Sequence, residues 1–100
     1  MTLIIRKENE VHLRLDRDFA AEYTQDLKAE LNVLISEGRS RFILDFSQVR
    51  IIDSLGIGLL VGTHNSLLKQ NGYLKIVNVS EDIFQLFKNM RLNEFLDVEH

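Results

Sequence analysis

Apolar and polar residues along this chain change period several times, and each change marks an element. Val11, Leu13 and Leu15 alternate with His12 and Arg14, the period-two pattern of a strand with one buried and one wet face. Leu3 to Glu8 reads as a strand before it, with Asn9-Glu10 as the tight turn of a hairpin. Ala20, Tyr23, Leu27, Leu31, Leu34 and Ile35 then recur at helical spacing, and Gly38 supplies a stop. Either Asp16 or Asp18 is placed to cap that helix. Phe42 to Phe46 opens with an unbroken apolar run, which predicts a central strand covered on both faces. From Ser54 the spacing is helical again. Ile57, Leu60, Val61, His64, Leu67 and Leu68 fall on one face, and Asn71-Gly72 ends the run. Tyr73 to Asn78 predicts a further strand. Ser80-Glu81-Asp82 then starts a helix whose Ile83, Leu86, Phe87 and Met90 share a face, and Phe95 to Val98 predicts a short last strand. The order β-β-α-β-α-β-α-β predicts an α/β domain in which helices back a mixed sheet of four to five strands.

Composition narrows this picture. One hundred residues suit a single domain spanning 1–100 with one core. There is no cysteine, so disulfides, thiolate metal sites and thiol nucleophiles are excluded. Charge interrupts the first residues too early for a secretory signal, and no apolar run approaches the roughly eighteen residues that span a bilayer. A net charge of −3, with Lys and Arg scattered, opposes nucleic-acid binding. A cytoplasmic domain with no direct membrane insertion is expected.

Candidate chemistry concentrates where the central strand gives way to the second helix. Ser54 stands at a helix start, where its commonest role is an N-cap that accepts a backbone N–H. Its other role is as a phosphate acceptor, since a phosphoryl group there would meet helix N–H groups and the positive dipole end. The two roles are compatible. Asp53 complements the same dipole, and a carboxylate there can also orient the hydroxyl toward an incoming phosphate or pair with a basic group on a kinase. Gly56, Gly58 and Gly62 match neither a dinucleotide fingerprint nor a P-loop. They predict close packing of the helix on the sheet or close approach of a partner. His12, His64 and His100 are too dispersed for a metal site, and Ser54 lacks the G-x-S-x-G elbow of a hydrolase. No catalytic residue and no cofactor is expected.

Ile52-Asp53-Ser54-Leu55-Gly56-Ile57-Gly58-Leu59-Leu60 resembles the signature of the STAS domain family, the bacterial anti-sigma factor antagonists. In that signature an apolar strand ends in Asp-Ser-Ser/Thr-Gly before an apolar helix. The resemblance extends over nearly the whole chain, through the strand Gly72 to Asn78 and the helix from Val79 to Phe87. It implies the STAS fold and a partner-switching role. The unphosphorylated protein would bind an anti-sigma factor that is also a serine kinase, phosphorylation of Ser54 would abolish that binding, and a PP2C-type phosphatase would restore it. The implied partner surface comprises Asp16, Asp18, Asp53, Ser54, Leu55, Gly56 and Ile57. An alternative within the family is a constitutive subunit of a sensory scaffold or lipid-transport complex, with Ser54 only a helix cap. Two departures bear on the partner. Leu55 replaces the usual small hydroxyl residue, and Leu13-Arg14-Leu15-Asp16 carries Arg14 where the family favours glycine.

Overall fold

The computed structural model describes residues 3–7 (as backbone), 10–94 and 96–100. Strands β1 (Leu3–Lys7) and β2 (Glu10–Arg14) pair antiparallel, so Glu10 opens a strand rather than completing a turn. Asn9 lies outside the described residues. Helix α1 (Ala21–Ser36) leads to β3 (Arg41–Asp45), α2 (Ser54–Leu68) to β4 (Tyr73–Val77), and α3 (Glu81–Asn89) with a short 3-10 turn (Leu92–Glu94) to β5 (Asp97–Val98). Phe95, expected to open the last strand, lies outside the described residues.

The sheet order is β1-β2-β3-β4-β5, with β2 to β5 mutually parallel. Each helix therefore carries the chain one strand over in the same direction. Such crossovers are right-handed, which puts all three helices on one face. Register then decides the core. Val11 pairs with Phe42 and Phe42 with Leu74, and Leu13 pairs with Leu44 and Leu44 with Ile76. All six side chains are buried under the helices. Their neighbours His12, Ile43, Asp45, Lys75 and Val77, on the opposite face, are only partly covered. This corrects the expectation for β3: it is central, but its run of apolar residues is sealed on one face only, because no crossover places a helix on the other.

Helix packing corrects two further expectations. The buried stripe of α2 is Gly56, Leu60, Thr63 and Leu67, while Leu68 is exposed and Ile57, Val61 and His64 are half-buried. On α3, Ile83 and Phe87 enter the core but Leu86 and Met90 do not. Helix α2 is apolar nearly all round, which leaves its rotation to its neighbours; of its glycines only Gly56 makes the expected close approach, to Phe19 and Ile52 of the two loops, while Gly58 and Gly62 have open space where a Cβ would lie. Gly38 ends α1 as expected, in the left-handed conformation at φ 92°. Ser80 caps α3, accepting from the Ile83 amide at 3.3 Å.

Candidate functional site

Two loops meet at the C-terminal ends of the parallel strands β2 and β3. Such ends, where helices begin, are where open α/β sheets place their ligand-facing groups. The β2–α1 loop contributes Phe19, which forms an isolated parallel bridge with Ile52 of the β3–α2 loop. Its amide donates to the Ile51 carbonyl at 2.9 Å, and its carbonyl accepts from the Asp53 amide at 3.2 Å. The Phe19 ring is fully buried against Phe46, with centroids 5.9 Å apart. The two loops are thereby fixed to each other.

Asp18 completes this join. Its Oδ1 accepts from the amides of Arg50 and Ile51 at 3.0 and 3.2 Å. Neither Asp16 nor Asp18 caps α1, whose N-cap is Ala20 with no side-chain hydrogen bond. Asp18 is spent on the neighbouring loop, and the Ala21 amide at the start of α1 is taken by Asp53. Asp16 instead pairs with Arg17 at 2.9 Å, and the Arg17 guanidinium lies 5.1 Å from the centre of the Tyr23 ring.

Asp53, not Ser54, caps α2. Its Oδ1 accepts from the Gly56 amide at 2.9 Å. Its Oδ2 accepts from the Ala21 amide at 3.1 Å, 32 positions away, where Ala21 holds a left-handed φ of 52°. One carboxylate thus clasps the starts of both helices. The amides of Gly56 and Ala21 hold it below the usual carboxylate range. Aspartate and serine are near-equal N-caps, so the local pattern alone did not discriminate between adjacent positions. What discriminates is the Ala21 amide, which the fold brings to the second oxygen of Asp53. This corrects the capping role given to Ser54.

Released from capping, Ser54 is the first residue of α2 and is exposed. Leu55 beside it is 55 % exposed and Ile51 59 %. Ile51 was not among the expected site residues. The bridge at Ile52 buries that residue and turns its neighbour Ile51 outward. Ile57 is half-buried and packs on the core. Gly56 is buried, because a Cβ there would lie 2.7 Å from Phe19 Cδ1 and 2.8 Å from the Phe19 carbonyl oxygen. The site therefore has a buried frame (Gly56, with Asp18 and Asp53 as clasps) and an exposed surface (Ser54, Leu55 and Ile51, with Asp16 and Arg17 on the adjoining loop).

The STAS domain family model matches residues 3–100. The chain belongs to the STAS domain family. It is 29 % identical over 93 residues to the anti-sigma-B factor antagonist of Bacillus subtilis, covering 93 % of this chain and 84 % of that protein. A candidate anti-sigma factor antagonist from Thermotoga maritima superposes with a TM-score of 0.92 at 18 % identity, over 99 % of this chain and 86 % of that one. The phosphorylated form of the Bacillus cell fate determinant SpoIIAA superposes at 0.79 with 20 % identity, over 98 % and 90 %. At these identities the two structures establish the STAS fold.

Proposed function

We propose that this STAS domain is an anti-sigma factor antagonist switched by phosphorylation of Ser54. Unphosphorylated, it binds an anti-sigma factor that is also a serine kinase. Phosphorylation disables that binding, and a PP2C-type phosphatase restores it. The observation that carries this reading is the division of labour at the start of α2. Asp53 caps the helix, which leaves the Ser54 hydroxyl exposed and free of a structural task beside the apolar Leu55 and Ile51. Relatives that are anti-sigma factor antagonists support it.

The physics of the switch follows from the same carboxylate. Asp53 already holds the Gly56 amide, so a phosphate on Ser54 would not find that part of the helix start vacant, as the sequence had suggested. It would add a charge of about −1.5 to −2 next to an ionised carboxylate. An apolar docking surface becomes strongly anionic. A partner that must desolvate this charge without a basic group opposite loses at least about 3 kcal/mol, more than a hundredfold in Kd.

The test is phosphosite mapping of the protein from its native cells, followed by pull-down with Ser54→Ala and Ser54→Asp. The alanine variant should retain a kinase-fold partner in the presence of ATP, and the aspartate variant should release it. Phosphorylated protein that holds the partner as tightly as unmodified protein would end this reading.

A further inference from the structure

Lys28 on α1 is exposed and makes no ion pair among the described residues. Its neighbours one turn away along the helix are Thr24, Gln25, Leu31 and Asn32. None is acidic, so the usual helical partner of a lysine, three or four residues away, does not exist here. The acids of α1 (Glu22, Asp26 and Glu30) follow one another at every fourth position, a strip apart from Lys28.

The side of α1 that carries Lys28 is one wall of a groove whose other wall is α2. Ser54 and Leu55 open the α2 wall, while Gln25, Lys28 and Asn32 line the α1 wall. Among the described residues no acidic side chain lines this groove, and Lys28 is its one ionic group. Both helices begin at the C-terminal ends of parallel strands, and Asp53 ties their first turns together through the Gly56 and Ala21 amides. Gln25 and Lys28 therefore stand about one and two turns up from the level of Ser54. Side chains on a helix lean toward its N-terminus. The long stem of Lys28 is thus directed down the groove toward the Ser54 end.

The other groups near Ser54 are already engaged or repulsive. Asp53 accepts from the Gly56 amide, and the Leu55 amide also acts on its carboxylate. A phosphate on Ser54 would meet committed amides and a negative charge on that side. Asp18 holds the amides of Arg50 and Ile51. Arg17 is paired with Asp16 and lies over the Tyr23 ring. Glu22, in the first turn of α1, adds a further negative charge. The groove is the direction in which a phosphate finds donors, since the Gln25 amide can give a hydrogen bond and Lys28 a charge-assisted one.

We propose that a phosphate on Ser54 is received within the same chain by Lys28, with Gln25 as a further donor. This rests on Ser54 being the phosphosite of the switch. One lysine does not neutralise a phosphate beside Asp53, so the surface stays anionic, as the switch requires. Lys28 adds a fixed place for the phosphate, which is held in the groove beside Leu55 instead of swinging away from an approaching partner.

Phosphoserine installed at position 54 by genetic code expansion separates this question from whether a cellular kinase modifies Ser54. The second pKa of the phosphate, about 6 when unconstrained, is then followed by ³¹P NMR in the full chain and its variants. Lys28→Ala should raise it by about 0.5, the size that an exposed ion pair sustains. Lys28→Arg should keep the wild-type value. Arg50 sits on the neighbouring loop but does not line the groove, so Arg50→Ala should shift the titration less. A titration indifferent to Lys28→Ala, or one that Arg50→Ala shifts as far, would overturn the capture and leave the switch itself untouched.

Discussion

Gly56 and Gly58 sit two positions apart on one helix and should respond to the same substitution with opposite signs. At Gly58 an added methyl meets nothing within 4 Å, so Gly58→Ala should gain about 1 kcal/mol from helix propensity alone. At Gly56 the same methyl would lie 2.7 Å from Phe19 Cδ1, 2.8 Å from the Phe19 carbonyl oxygen and 2.9 Å from Ile52 Cγ1. Rings and side-chain ends can give a little. A carbonyl fixed by the Asp53 amide cannot move without loosening the bridge between the two loops. Overpacking of this kind costs about 2 kcal/mol, against a propensity gain of at most about 1 kcal/mol. Gly56→Ala should therefore lose about 1 kcal/mol, a gap of about 2 kcal/mol between the two variants. For a domain of this size that gap is roughly 8–16 °C in Tm. Urea unfolding at unchanged m-value is the cleaner measure, since the shift in midpoint then reports stability directly. If Gly56→Ala proved as stable as Gly58→Ala, the close contact with Phe19 would not be what demands glycine there.

Asp53 gives a pH prediction. The Gly56 and Ala21 amides lower its folded pKa below the unfolded value, so its contribution is fully present above the unfolded pKa of about 3.9 and is lost as pH falls through the folded value. Asp53→Asn should lower stability at neutral pH and make the acid limb of the stability–pH curve shallower below about pH 4; an unchanged acid limb would refute the clasp. Ala21 holds a left-handed φ of 52°, which costs a non-glycine residue about 1–2 kcal/mol. Ala21→Gly should therefore raise the urea midpoint by about 0.5–1 kcal/mol equivalent after the glycine entropy cost, and a lower midpoint would refute the strain. Leu55→Ser, at an exposed position, should leave stability within about 0.5 kcal/mol. The same change should weaken the partner complex about tenfold, measured by calorimetry, and unchanged affinity would remove Leu55 from the docking surface.

Element type and order were legible because hydrophobic period is a local property. The alternation at Val11 to Leu15, the helical spacing from Ala20 to Ile35 and the stop at Gly38 each reappear in the structure. The site was legible in part. The segment around Asp53 and Ser54 stood out, and with it the family. The roles within it were not assignable, because Asp53 and Ser54 are equally good caps when only their own helix is considered. Asp53 wins because its second oxygen finds the Ala21 amide 32 positions away. Asp18 is a similar case: a cap by sequence, a clasp between loops once Arg50 and Ile51 are beside it.

Sequence by itself determined the α/β order and the Asp53-Ser54 segment at the start of α2 as the place to look, since these follow from patterns within one element. Tertiary structure decided which face of β3 is sealed, which stripe of α2 turns inward, and which of two adjacent residues caps the helix and which faces solvent. Each of these depends on what the fold brings from a distant part of the chain. A near-uniformly apolar helix such as α2 carries no local instruction about its rotation. The approach of Phe19 to Gly56 supplies it, and that approach turns Ser54 and Leu55 outward.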